Sequence, residues 1–288
     1  MLRGDARNDH RLNRMKFFNI RVLTCLLAVI AVVSVPGQAL KITGAMWEDE
    51  VYPGDNASYD ITIGLGSEEP AANFTIEVDG LYQSPEGLNL PVKGENDTSP
   101  YTAEPFLNAS PLSFHLEPGG TQIVRVNADI PRDVGSGVRY GLLSLRNSGA
   151  DLAKGKKKVS TVMVSIGSNI PVVLTIADTE MNMTGEITDL SLDKVDTKHQ
   201  NISVIFKNTG NAHYKARLRA DLINSSGFKV ADAETPVSFS SIVPTFSRLF
   251  KVSINPSKPL KRGSYTLKTY VEMGDGTVLA SRETQIKL

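Results

Sequence analysis

The chain has 288 residues, of which 41% are hydrophobic and 22% are charged, and 31 basic residues balance 31 acidic ones. This balance argues against a nucleic-acid partner or a strongly acidic partner, and the length allows two domains that each bury a core. Cys25 is the only cysteine, which excludes a disulfide within the chain and a thiolate metal site.

Residues 1–39 are predicted to be an upstream segment and a signal peptide. Residues 23–35 form an apolar run that follows a basic stretch and precedes small residues at 36–39. A basic segment, an apolar core and a small-residue cleavage point are typical of secretory signals, so we expect cleavage after Ala39 and a secreted or cell-surface protein. The run is shorter than the ~20 apolar residues of a membrane span. An uncleaved signal anchor is therefore the alternative, and the only membrane association that the sequence indicates.

Asn-X-Ser/Thr sequences also indicate that the protein is exported. Seven asparagines fit this N-glycosylation pattern: Asn56, Asn73, Asn96, Asn108, Asn182, Asn201 and Asn224. The number exceeds what the frequencies of Ser and Thr predict by chance. The alternative is that a β-rich chain is rich in these residue types anyway.

The first predicted domain covers residues 40–176. Ile61 and Ile63 alternate with polar residues, and so do Phe74 and Ile76, as expected of half-buried strands. Residues 83–110 lack alternation and are rich in Pro, Gly, Asn and Ser. They predict a long surface loop, which is either a binding surface or a tolerated insertion.

Residues 113–147 predict a strand, a turn, a strand, a loop and a third strand, and a diverged copy of this segment returns near the C-terminus. Pro118 corresponds to Pro244, and Gly137 to Gly263, at the same offset of roughly 126 residues. The chain is therefore predicted to contain two related domains.

A lysine-rich tip lies between the predicted strands at 138–146 and 159–166. Its residues are Lys154, Lys156, Lys157 and Lys158. The tip is a candidate contact for an anionic wall polymer or glycan. The alternative is a solvated tip whose charges prevent pairing between sheet edges.

The second predicted domain covers residues 178–288. Ile202, Val204 and Phe206 alternate with polar residues, and Asp275-Gly276 is a strong hairpin signal. No helical period is sustained beyond the signal. Short strands with turn chemistry between them predict an all-β fold of two tandem immunoglobulin-like antiparallel β-sandwiches after an N-terminal signal helix. Tyr140 and Tyr265 each follow a glycine and precede a strand, which resembles the tyrosine corner of such domains.

Short sequences in both domains carry a resemblance to known families. In the first domain they are Glu117-Pro118-Gly119, Val124-Arg125-Val126, Ile130-Pro131-Arg132-Asp133 and Gly137-Val138-Arg139-Tyr140-Gly141. These resemble the peptidoglycan-binding domain of WxL-interacting cell-surface proteins and are similar to pilus-chaperone-like sandwiches generally. In the second domain, residues 206–211 resemble the adhesion-type domains of the CARDB class. The resemblance implies immunoglobulin-like sandwiches.

The sequence contains no motif that indicates catalytic residues. The four histidines, His10, His115, His199 and His213, form no pair with metalloprotease spacing. No nucleophile elbow, phosphate-binding loop or dinucleotide fingerprint follows a predicted strand. We therefore expect no catalytic residue, no cofactor and no metal, and a protein that is not an enzyme.

The sequence predicts a non-catalytic secreted or cell-surface module for binding, adhesion or structure in a prokaryotic envelope. Its expected partner is an envelope protein or a cell-surface glycan, and the protein is expected to be a monomer. The alternative is a secreted chaperone or assembly factor that acts by β-strand addition. An assembly factor should have a deep cleft between its domains and a bare edge strand, whereas an adhesion module should have covered or charged edges.

Overall fold

The computed structural model describes residues 40–148 and 167–288. The predicted signal helix and the lysine tip at 154–158 lie outside the described residues. In the described part of the chain, no helix is long and apolar enough to cross a membrane.

The first sandwich consists of two sheets. Its strands are β1 (Leu40–Thr43), β2 (Trp47–Val51), β3 (Asn56–Leu65), β4 (Ala72–Gln83), β5 (Asn89–Val92), β6 (Leu107–Ser110), β7 (Ser113–Leu116), β8 (Thr121–Asp129), β9 (Val138–Ser148) and β10 (Gly167–Ile176). One sheet has the order β1-β3-β8-β6, and the other has the order β2-β10-β9-β4-β5, with β7 also paired to β4. The pairing of β2 with β10 is parallel.

The alternation of apolar residues builds the core between these sheets. In β8, Val124, Val126 and Ala128 are fully buried, while the residues between them face solvent or are half-buried. Trp47 enters the same core from β2 and stacks on Tyr59, with ring centroids 5.7 Å apart. Residues of β10 at even positions, such as Val172 and Leu174, pack into this core.

The second sandwich is smaller and also has two sheets. Its strands are β11 (Gly185–Val195), β12 (Gln200–Asn208), β13 (Ala216–Asn224), β14 (Lys229–Glu234), β15 (Ser247–Ile254), β16 (Ser264–Met273) and β17 (Val278–Lys287). The sheets have the orders β11-β12-β15 and β14-β13-β16-β17. Phe206, Leu218 and Leu267 lie in the core between them. The prediction of two tandem immunoglobulin-like sandwiches is therefore confirmed for the described residues, while the division into residues 40–176 and 178–288 stays a prediction.

The internal repeat is visible in the strand positions. β8 and β15 begin at Thr121 and Ser247, and β9 and β16 begin at Val138 and Ser264, so both pairs keep the offset of 126 residues. The turn before β8 contains Gly119 at φ +76°, and Thr245 in the corresponding turn has φ +72°. A β-branched residue in this conformation is strained, which marks the second turn as a position held by its surroundings.

Two sequence predictions differ from the structure. Residues 83–110 contain β5, β6 and two short 3-10 turns (Gly94–Asn96 and Glu104–Phe106) instead of one long loop. β6 has only four residues, of which Leu107 and Ala109 are buried, and this is too short to produce a clear alternating pattern. Of the two predicted tyrosine corners, only the one at Tyr265 forms: its hydroxyl donates to the Lys261 carbonyl at 2.8 Å, whereas the Tyr140 hydroxyl bonds to Ser99 and Pro244.

Candidate functional site

The two sandwiches belong to one compact unit, and a third apolar cluster joins them. In β9, Leu143 and Leu145 point into the core of the first sandwich, so their neighbours Tyr140 and Leu142 point to the opposite face. That face is covered by the second sandwich, whose Val243 packs with Tyr140 and Leu142. We call this cluster the joint.

Tyr140 lies at the centre of the joint and is fully buried. Its hydroxyl lies 2.6 Å from the Ser99 hydroxyl and donates to the Pro244 carbonyl at 3.2 Å. Its ring packs against Phe246 with centroids 5.7 Å apart. Burial raises the pKa of Tyr140, so the phenol stays neutral and keeps its proton for donation.

Polar contacts fix the position of one sandwich on the other. The amide of Val138 donates to the Asn211 carbonyl at 2.9 Å, and the amide of Leu249 donates to the Pro85 carbonyl at 2.8 Å. The Asn211 side chain also donates to the Ser136 hydroxyl at 3.1 Å. Because the bonds of Asn211 and the bond of Pro85 lie at different points of the contact, they restrain rotation about the joint as well as separation.

A cavity of about 300 Å³ lies beside the joint, between the two sandwiches. Its apolar lining includes Pro171 and Val173 of β10, Val243 of the joint, and Met46 and Phe239. The last two side chains are 44% and 99% exposed, so they form the open side of the cavity. We call the cavity and its open side the cleft.

Half of β10 has no neighbouring strand on the side of the sheet next to the cleft, within the described part of the chain. β2 pairs with residues 172–176, and no other described strand pairs with residues 167–171 on that side. The amide of Ala177 donates to Val51, while the amide of Ile176 donates to Gly137 on the β9 side. Because backbone groups alternate between the two sides of a strand, the odd-numbered residues of β10 face the β2 side.

The free edge therefore presents the amides and carbonyls of Gly167 and Asn169, while the Pro171 carbonyl accepts from the Trp47 amide in the first rung of the β2 pairing. Pro171 has no amide hydrogen, and its missing donor falls on the unpaired side, where a strand tolerates proline. The segment 167–171 also carries no charged side chain. We call this segment the β10 edge.

Charged groups protect other edges of the sheets. β2 carries Glu48, Asp49 and Glu50, all exposed, and Glu48 contacts His213 Nε2 of the second sandwich at 3.1 Å. On β17, Glu283 pairs with Lys268 at 2.6 Å. Charged edges resist pairing with another strand. The β10 edge lacks this protection.

None of the sequence-predicted site residues within the described ranges lines the cleft. The Lys154, Lys156, Lys157 and Lys158 tip is outside the described residues. The sequon asparagines are exposed or half-buried, and their glycosylation stays a prediction: Asn56, Asn73, Asn96, Asn108 and Asn182 are exposed, and Asn201 and Asn224 are half-buried. Within the described ranges, no group of three His, Cys, Asp or Glu side chains is arranged to hold a metal ion.

Sequence reasoning missed the residues of the cleft. Phe239 lies in a serine-rich stretch without alternation, and nothing local separates it from a core residue. The joint could have been recognised from Tyr140, Leu142 and Leu143, because apolar residues at both even and odd positions are typical of a strand that is buried on both faces.

The comparisons with known proteins concern the fold. No family model matches the chain, and no curated protein matches it. The chain is similar to a solved structure of a chaperone–tip adhesin complex of CFA/I fimbriae biogenesis, with a TM-score of 0.44 and 11% identity over 86% of this chain and 97% of that chain. It is similar to the class 5 fimbriae chaperone CfaA (TM-score 0.43, 12% identity, 86% and 98% covered) and to the periplasmic chaperone SfaE (TM-score 0.35, 11% identity, 86% and 98% covered).

These findings correct two expectations. The resemblance to WxL-interacting proteins and CARDB domains is wrong, because the similar solved structures are fimbrial chaperones and no family model matches. Turn sequences such as Pro118-Gly119 follow from the geometry of many sandwiches, so they indicated a fold and not a family. The interpretation as an adhesion or structural module is also wrong, since the same structures are chaperones and the described chain has a cleft and a bare edge.

Proposed function

We propose that this protein binds an extended segment of a partner protein, which is added as a strand to the β10 edge beside the cleft. It acts as a non-catalytic chaperone or assembly factor after export, in the periplasm or outside the cell. The observation that carries the proposal is the β10 edge, which has free backbone groups at Gly167 and Asn169 among the described strands, is uncharged and lies next to a cavity with an apolar inner wall. The proposal agrees with the names of the similar solved structures but rests on this geometry.

The edge offers enough hydrogen bonds to orient a segment but not to bind it tightly alone. Gly167 and Asn169 supply two donors and two acceptors. Each net hydrogen bond contributes about 0.5–1.5 kcal/mol. Side chains of the partner must therefore bury apolar surface as well, and the cleft is the adjacent place for this.

The rigid joint explains why an unpaired edge persists in a folded protein. β10 is fixed on one side by β9 and at its C-terminal half by β2. The second sandwich then holds Phe239 and Val243 opposite the odd-numbered residues of β10. A preorganised edge loses little conformational freedom when a partner binds, so more of the contact energy appears as affinity.

Substitution of Asn169 tests the proposal. Random twelve-residue peptides would be selected on the immobilised protein, and the affinity of the tightest peptide measured for wild type, Asn169→Pro and Asn169→Ala. Both variants lose the Asn169 side chain, which donates to the Asn89 carbonyl at 3.0 Å, but only proline removes the edge-facing amide. We expect Asn169→Pro to bind at least ~10-fold more weakly than Asn169→Ala, since loss of one donor and obstruction of its neighbour cost about 1.4 kcal/mol or more.

Two results would contradict strand addition. One is equal affinity of Asn169→Pro and Asn169→Ala for the selected peptide, with both variants folded by circular dichroism. The other is a selection that enriches no peptide.

A further inference from the structure

We infer that the cleft selects the bound segment by one large apolar side chain, and that Phe239 is the residue that determines this specificity. The inference rests on the proposed function, because it concerns the same cleft, but it assigns a sequence requirement to the partner. It follows from the position of the cavity relative to the β10 edge, from the chemistry of the cavity lining and from the exposure of Phe239.

The cavity and the edge share Pro171. Pro171 is part of the β10 edge and also lines the cavity, and its ring lies on the same face of the sheet as Val173. Side chains of directly opposed residues in neighbouring strands have Cβ atoms about 4.5–5.5 Å apart. A strand added to the free part of this edge therefore places one of its side chains opposite Asn169, on the same face of the sheet as Pro171 and next to the cavity.

Gln83 and Glu48 in the cavity lining already have hydrogen-bond partners, whereas Lys215, which also lines the cavity, is exposed to solvent. The Gln83 side-chain amide donates to the Ser241 carbonyl at 3.0 Å and to the Asn89 side-chain oxygen at 3.2 Å. Gln83 Oε1 accepts the amide of Val243 at 3.4 Å. Glu48, at the same cavity, contacts His213. A polar side chain from a partner would have to compete for these groups, whereas an apolar side chain would only displace water.

The cavity is large enough to take a large side chain. A volume of about 300 Å³ is at the lower limit of the range typical for small-molecule sites. Leu81, Val173 and Val243 form an apolar inner wall. The cavity therefore suits a Leu, Met or aromatic side chain from the bound segment.

Phe239 is placed to cover such a side chain. It is 99% exposed, although most large apolar side chains in the described residues are buried. The preceding residue is fixed, because the Ser238 amide donates to the Ala216 carbonyl at 2.8 Å and the Ser238 hydroxyl accepts the Ala216 amide at 3.1 Å. A held, exposed aromatic residue at a cavity mouth has the character of an interface hot spot.

The test uses the tightest peptide from the selection described above. Each position of this peptide would be changed to Ala and to Glu, and affinities measured for wild type, Phe239→Ser and Phe228→Ser. Phe228 is the matched control, since it is 70% exposed and lies at the other end of β13, roughly 26 Å away at 3.3 Å per residue. Neither substitution removes a buried contact, so both variants should fold.

We expect one apolar peptide position at which Ala reduces affinity at least 10-fold and Glu reduces it further. Phe239→Ser should weaken binding of the parent peptide at least 10-fold and should remove most of the difference between parent and Ala peptides. Phe228→Ser should change affinity less than twofold. If the effects of Phe239→Ser and of the Ala substitution in the peptide are not additive, the two side chains interact directly.

The possible failures are distinguishable. If Asn169→Pro abolishes binding but Phe239→Ser and Phe228→Ser have equal effects, strand addition stands and the specificity assignment is overturned. If no peptide position couples to Phe239, the assignment is overturned as well. If Asn169→Pro and Asn169→Ala bind equally, the proposed function fails and the inference fails with it.

Discussion

Gly137→Ala is expected to lower the free energy of unfolding by about 3 kcal/mol or more, because it combines backbone strain with a steric clash at the joint. Gly137 has φ +92°, a conformation that costs a residue with a Cβ roughly 1–2 kcal/mol. An added Cβ would also lie 2.4 Å from the Asn211 carbonyl oxygen and 2.7 Å from Asn211 Cβ. The backbone of Asn211 would have to move, and its 2.9 Å bond from Val138 would be lost.

Gly276→Ala is the matched control for this prediction. Gly276 has φ +89°, close to that of Gly137, but nothing lies within 4 Å of an added Cβ. Its substitution should lower the free energy of unfolding by roughly 1–2 kcal/mol, because only the backbone strain of the positive φ is added. Urea unfolding of both variants measures the difference. Equal losses of stability would show that Gly137 is not in close contact with the second sandwich.

Tyr140→Ala is expected to lower the free energy of unfolding by about 4 kcal/mol, which is in the range for truncating a large aromatic residue in a core. Tyr140 is fully buried and contacts both sandwiches, so its removal leaves a cavity in the joint and breaks the bonds of its hydroxyl to Ser99 and Pro244. The variant should also lose peptide binding at the cleft, since Val243 packs on Tyr140 and lines the cavity. Urea unfolding and peptide affinity are the measurements.

Two phenylalanine variants separate packing from hydrogen bonding. Tyr140→Phe keeps the ring and should lower the free energy of unfolding by about 1–2 kcal/mol, because the hydroxyl bonds to Ser99 and Pro244 are lost in a buried place. Tyr265→Phe removes a bond to the Lys261 carbonyl within the second sandwich and should leave peptide affinity unchanged.

A loss of unfolding free energy below about 1 kcal/mol for Tyr140→Ala would contradict a tightly packed joint.

Much of the fold was predictable because the strands follow simple alternation. Val124 and Val126 in β8 read as inward residues, and both are fully buried. The Asp275-Gly276 hairpin also forms, with Gly276 at φ +89° and the Thr277 amide donating to the Asp275 side chain. These features depend on neighbours in sequence, which is the information that local patterns contain.

The candidate site was not predictable because it depends on long-range placement. The β10 edge is bare since β2 begins to pair only at Val172, and no local pattern fixes the register of a parallel pair. Phe239 and Pro171 are far apart in sequence and meet only because the joint sets the angle between the sandwiches. The resemblance to surface adhesion families failed for the same reason, since turn sequences do not specify how two sandwiches are joined.

Amide hydrogen exchange on the β10 edge tests strand addition most directly. Gly167 and Asn169 face the unpaired side, whereas Ser168 and Ile170 face β9. In the free protein, the amides of Gly167 and Asn169 should exchange faster than those of Ser168 and Ile170. A saturating selected peptide should slow exchange at Gly167 and Asn169 at least ~10-fold, because those amides then donate to the added strand. Peptide binding that leaves both amides as open as in the free protein would contradict the account.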